Sequence, residues 1–149
     1  MPLKKYNQRQ EQALTYLNQN YASKGALQYL KLRFIAISDT ELTATMEVGK
    51  EHTRPGGALH GGVSALLAES VASVASALVI EDLAKESPVG LELNINHIRP
   101  LIVGDHAYAT ASACHIGKST HIFEIKLTNQ KQELFAIARL TLFILKAEK

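Results

Sequence analysis

The sequence predicts an α+β fold in which a bent antiparallel sheet wraps around one long central helix, with an extra helix at the N-terminus. Three observations carry this expectation. Gly61–Ile80 is apolar nearly all round and holds one ionisable side chain, Glu69, so such a helix must be covered on most sides. Two strand-like runs precede it and four follow, most of them alternating apolar and polar residues. No internal repeat divides the chain, and its 149 residues suit a single domain spanning 1–149, with 1–25 as a helical extension.

The first helix is predicted from about Lys4 to Tyr21, where Tyr6, Ala13, Leu14, Leu17 and Tyr21 share one face. Ser23, Lys24 and Gly25 end it. Strands are expected over Leu27–Ile37 and Glu41–Val48, joined by a turn at Ser38, Asp39 and Thr40. The glycine-rich stretch GKEHTRPGGALHGG then fits neither helix nor strand. The central helix is expected to continue to about Ala84. In the strand Pro88–Ile98, strict alternation would put Val89, Leu91, Leu93, Ile95 and His97 on one core-facing side. Gly104–Ile116 and Ser119–Thr128 flank a two-residue hairpin turn at Gly117 and Lys118. A turn at 129–132 leads into the last strand, Glu133–Leu145.

Composition narrows the function. A net charge of +2 without any longer basic run than Lys4-Lys5 argues against nucleic acid. The polar N-terminus has no signal-peptide pattern, and the serines and Glu69 of the apolar helix argue against a membrane span. A single cysteine, Cys114, excludes an internal disulfide framework and suits a reducing cytoplasm; its alternating context predicts a buried thiol. His52, His106, His115 and His121 show no metal-ligand spacing, so no metal site is expected.

The candidate chemistry lies in LHGGVSALLAES, Leu59–Ser70. An unpaired carboxylate in an apolar setting is costly, so Glu69 is on a wet face, neutralised by a partner such as a cation across a dimer interface, or held there for chemistry. Gly61 and Gly62 open the helix, with sterically accessible amides near its positive end. Ser73 lies one turn beyond Glu69 on the same face. Its hydroxyl either bonds its own backbone or holds a water. His60 is either a capping residue or a donor, and His97 is either a satisfied core histidine or a substrate contact.

Three segments, RPGGALHGGVSALLAES, VGLELNINHIRP and HIGKST, resemble the glutamate-type hotdog acyl-CoA thioesterases of the phenylacetate-pathway thioesterase superfamily. The pattern is similar to that of 4-hydroxybenzoyl-CoA and 1,4-dihydroxy-2-naphthoyl-CoA thioesterases, from about Leu27 to Leu145. The resemblance implies a hotdog fold and hydrolysis of a small aromatic or medium-chain acyl-CoA. It makes Glu69 the nucleophile or general base, the Gly62 amide the oxyanion donor, Ser73 the holder of the water and His60 a donor to the carbonyl. It assigns a CoA channel to Gly90, His97, Ile98, Arg99 and Pro100 together with His115, Ile116, Gly117, Lys118, Ser119 and Thr120, with Arg99 and Lys118 as phosphate contacts. The acyl pocket is expected to include Leu66, Leu67 and the N-terminal helix. The site is implied to be shared in a homodimer or a dimer-of-dimers tetramer, with CoA as part of the substrate and no further cofactor. Arg54 departs from the pattern, which has glutamine before the proline, and is a candidate cleft residue. A hotdog acyl-CoA dehydratase or hydratase, or a non-catalytic acyl-CoA-binding protein, are the alternatives.

Overall fold

The computed structural model describes residues 8–147. Helix α1 (Gln8–Asn20) is followed by a short α2 (Gly25–Tyr29), strands β1 (Arg33–Ile37) and β2 (Glu41–Glu47), and the central α3 (Gly61–Leu78). Strands β3 (Glu86–His97), β4 (His106–Ile116), β5 (Thr120–Thr128) and β6 (Leu134–Lys146) complete the chain. All six strands form one antiparallel sheet in the order β1-β2-β4-β5-β6-β3. This is the α+β hotdog arrangement, the sheet enclosing α3, which packs on every strand from β2 to β6.

The core follows from side-chain size. Leu67, Ala68, Val71, Ala72 and Ala75 of α3 are buried, and so are Ala107, Ala109 and Ala111 of β4 and Ala136 and Ala138 of β6. Alanines on the concave face let the helix lie close to the strands, and Phe123, Ile125, Leu140 and Leu142 fill the remaining volume.

Several expected boundaries move. The predicted strand Leu27–Ile37 is divided: α2 takes up residues 25–29, Lys31 has a positive φ of 52°, and β1 starts only at Arg33. The central helix stops at Leu78 rather than near Ala84. Residues 4–7 of the predicted first helix lie outside the described residues; within it Leu17 is fully buried, with Leu14 and Tyr21 packed against the core. The hairpin is shifted by one residue, because the Gly117 N–H donates to the Thr120 carbonyl (2.9 Å) and leaves Lys118 and Ser119 at the turn.

Two β-bulges overturn strict alternation. One falls between Gly90 and Glu92 and reverses which residues of β3 face inward. Gly90, Leu93, Ile95 and His97 lie opposite the buried Leu142, Leu140, Ala138 and Ala136, while Val89 and Leu91 are exposed. The other, between Ala113 and His115, lies where β4 runs past the core, and Cys114 is exposed rather than buried.

The two sheet edges are treated differently. At β1, the Asn18 side chain acts as a partial strand: it donates to the Phe34 carbonyl (2.9 Å) and accepts from the Phe34 N–H (2.8 Å), while Gln10 donates to Ile37 (3.1 Å). So α1 covers the β1 edge. At the other end, β3 pairs only with β6 over its twelve residues.

Leu67 tests the central packing, since it is fully buried beneath the sheet. Leu67→Ala should cost about 2–5 kcal/mol in urea unfolding; a loss below about 1 kcal/mol would show that α3 does not anchor the core.

Candidate functional site

A tight loop precedes α3 and fixes Arg54. Isolated bridges pair Thr53 with Leu59 and Ala58 with Ile102, and the Arg54 N–H donates to the Ala58 carbonyl (2.8 Å). The loop closes through Gly56 and Gly57 at φ of 98° and 84°, values that L side chains rarely adopt. Behind it lies His52, fully buried, a histidine to which the sequence gave no role. Its Nδ1 accepts from the Gly49 N–H (3.0 Å) and its Nε2 donates to the Tyr29 carbonyl (3.1 Å), tying α2 to this loop.

A cleft of about 470 Å³ opens between the loop, the start of α3 and the end of β3. Arg54, Gly61, Ser64, His97 and Arg99 border it over an apolar floor of Leu59, Leu101 and Phe135, with Ile98 and Pro100 at the rim. Ser64 was not singled out from the sequence, although it lies four residues after His60, on the same helix face. His97 is exposed, without a hydrogen bond to its ring among the described residues, so it is not a satisfied core histidine. Gly61 makes room for it: a Cβ there would lie 3.0 Å from His97 Cε1.

His60 is the N-cap of α3. Its Nδ1 accepts the Gly62 N–H at 2.8 Å, satisfying one of the amides a helix start leaves open. The sterically accessible Gly62 amide is thus engaged by His60, which adopts the capping alternative expected for it. The same bond sets the neutral tautomer, leaving the proton on Nε2 as an available donor.

Glu69 lies two turns further along α3, about 10 Å at 1.5 Å per residue. It is exposed in the protomer, and its carboxylate packs over Gly90, where a Cβ would come 2.6 Å from Oε1. Glycine at the bulge thus makes the space the carboxylate occupies. Leu67, expected at the cleft, is fully buried, whereas Leu66 is half-buried. Among the described residues the Ser73 hydroxyl makes no hydrogen bond, so the expected alternative of bonding to its own helix is not adopted.

The predicted CoA channel is split within one chain. The 97–100 segment lies at and just beyond the end of β3, beside the start of α3, whereas His115, Ile116, Gly117, Lys118, Ser119 and Thr120 belong to a hairpin beside the second half of α3, level with Gly90 because Gly90 and His121 both pair with Leu142. There the buried Ser76 hydroxyl meets His121 Nδ1 at 2.7 Å. Burial pushes the His121 pKa below its ordinary value and His115 adds to this, while the Gly117 carbonyl and Glu86 oppose it. Among the described residues no group of His, Cys, Asp and Glu is arranged to hold a metal.

Comparison with known proteins identifies relatives of this fold. The family described as the Thioesterase superfamily matches residues 56–136. The chain is 38% identical over 125 residues to a Listeria monocytogenes protein named 1,4-dihydroxy-2-naphthoyl-CoA hydrolase, covering 84% of this chain and 99% of that protein. The crystal structure of a Haemophilus influenzae thioesterase superposes with a TM-score of 0.84 at 32% identity, covering 100% of this chain and 98% of the other. A mutant thioesterase of Pseudomonas aeruginosa gives 0.80 at 38% identity, over 97% and 99% of the two chains.

The Ser76–His121 pair generates a pH test. In the unfolded chain His121 takes up a proton near pH 6.5, whereas the folded value is lower. Between the two values the unfolded state binds more protons, so stability is complete above about pH 7 and falls as the pH drops through this window. Urea midpoints at pH 7.5 and 5.5 should differ more for the wild type than for His121→Phe combined with Ser76→Ala. Equal differences would mean that His121 does not resist protonation.

Proposed function

Because this chain belongs to the thioesterase superfamily, we propose that it hydrolyses acyl-CoA thioesters with Glu69 as the attacking or water-activating carboxylate, at sites shared between two subunits. The observation that carries this reading is the pairing of a His60-capped Gly-Gly helix start with a carboxylate held against Gly90 on the same helix face. Membership makes the chain a thioester hydrolase; the roles of the residues are our assignment.

The thioester carbonyl oxygen replaces His60 Nδ1 as acceptor of the Gly62 N–H, and the freed imidazole offers a second hydrogen bond. Both donors strengthen as the oxygen gains negative charge. Glu69 then either adds to the carbonyl carbon, giving an anhydride that water opens, or takes a proton from the water that attacks. The unbonded Ser73 hydroxyl, one turn beyond Glu69, holds that water. CoA leaves as a thiolate, a good leaving group because thiol pKa values lie near 8.5. The cleft floor of Leu59, Leu101 and Phe135 accepts an aromatic or medium-chain acyl group. An exposed free Cys114 suits a reducing cytoplasm.

Sharing follows from distance and from the bare edge of β3. About 10 Å along α3 separates Gly62 from Glu69, while one carbonyl must lie within hydrogen-bond reach of the first and in contact with the second. An antiparallel second copy centred near Leu93 and Asn94 places the partner's Gly90 level with His97. The partner's Glu69 is then brought to this chain's helix start, and the two halves of the CoA channel are reunited across the interface.

Glu69→Gln should fold normally and lose about 10²-fold or more in kcat on acyl-CoA substrates; near-normal turnover rules out Glu69 as the reacting group. Mixing Glu69→Gln chains with His60→Ala chains, each inactive alone, should restore hydrolysis in heterodimers, which carry one intact composite site. Verified heterodimers that stay inactive would place each site within one chain.

A further inference from the structure

The cleft at the start of α3 is lined by cations and by no carboxylate. Arg54 and Arg99 both border it, and Arg99 has a partner in Glu133 at 3.6 Å. Arg54 has none: among the described residues its guanidinium makes one hydrogen bond, from Nη1 to the Pro55 carbonyl at 3.1 Å, and no ion pair. A guanidinium has five N–H donors in a planar fork, so most of the donor capacity of this cleft-bordering side chain is unused among the described residues.

The local fold holds this group in place. The Arg54 N–H and carbonyl are both engaged within the loop, to Ala58 at 2.8 Å and from Gly57 at 3.0 Å, and the two flanking bridges pin the ends. Gly56 leaves room for the side chain, since a Cβ there would lie 3.2 Å from Nη1. A guanidinium on a fixed backbone loses less freedom on binding than one on a mobile loop. Its charge is permanent at any working pH, and its fork matches a carboxylate or phosphate edge.

We propose that Arg54 is the anion-recognition residue of the cleft, binding a carboxylate, phenolate or phosphate oxygen of the substrate through paired N–H donors. The inference rests on reading the cleft as an acyl-CoA site. Two parts of such a substrate carry the chemistry: an anionic acyl group, or the phosphates of the carrier.

Four uncleavable thioethers separate these sources. S-pentyl-CoA and S-(4-carboxybutyl)-CoA differ only in an acyl-side carboxylate, and the same two groups on N-acetylcysteamine lack the phosphates. Dissociation constants are measured by calorimetry for the wild type, Arg54→Gln and Arg54→Lys. Arg54→Gln should reduce by about tenfold the preference for probes that carry the recognised anion over matched probes without it, with Arg54→Lys intermediate. A reduced preference for carboxybutyl over pentyl identifies the acyl group as the source, and a reduced preference for CoA over N-acetylcysteamine identifies the phosphates. The proposal is overturned if both preferences stay within about twofold of wild type, or if all four probes weaken equally. Since the probes are not cleaved, turnover of acyl-CoA thioesters is read separately. An Arg54-dependent preference without any thioester hydrolysis would sink the hydrolase reading and leave the anion site standing.

Discussion

Helix α3 has Glu69 as its one ionisable side chain, and a helix with so little polar surface has to be enclosed on most sides, which a flat sheet cannot do. Curvature is therefore imposed by the helix on the sheet. The strands meet the demand with alanines where the helix comes closest, Ala107, Ala109 and Ala111 on β4 and Ala136 and Ala138 on β6. Larger side chains such as Phe123, Leu140 and Leu142 fill the flanks. The polar groups of the site then fall where enclosure is incomplete: at the capped start of α3, and along the face that leans on the edge strand β3.

Two glycines show how that face is made usable. Gly61 gives its missing side chain to the His97 ring, and Gly90 gives its own to the Glu69 carboxylate. At both positions a Cβ would displace a candidate functional group, the His97 ring from the helix start and the Glu69 carboxylate from β3. The bulge beside Gly90 adds a second effect, since it keeps Gly90 facing inward together with Leu93, Ile95 and His97. The geometry of the candidate site is thus set largely by where side chains are absent.

The sequence carried the architecture because its main signals are periodic. An apolar helix of 18 residues and the alternation of Phe123, Ile125 and Leu127 are visible without tertiary contacts, as was the motif holding His60 and Glu69. What was illegible depended on irregularity. A bulge breaks the phase of the alternation between the residues before and after it, which is how Val89 and Leu91 came to be read as core with Leu93, Ile95 and His97, and Cys114 as buried. The short helix α2 hides in an apolar run that reads equally well as strand. His52 and His121 were passed over because their partners, Gly49, Tyr29 and Ser76, are mostly distant in sequence or on the backbone. Capping by His60 was one of two alternatives the sequence offered, and the motif could not choose between them because it names the residues but not which atom caps which amide.

The contrast between the two sheet edges links architecture to chemistry. Asn18 imitates a strand neighbour for Phe34, so β1 is closed by a side chain from its own molecule. Among the described residues the edge of β3 has no such cover, although it is among the longest strands and carries Gly90 and His97 on its inner face. A long unpaired edge is an adhesive surface that folded proteins normally blunt or fill. Strand pairing to a second copy would fill it. On the proposed reading, an antiparallel partner would also supply what a single chain lacks, because the helix start and the carboxylate two turns away lie too far apart to meet at one carbonyl. The strand register that would satisfy the backbone of β3 would then set the partner's Glu69 beside His60, making stability of the assembly and completeness of the site one requirement.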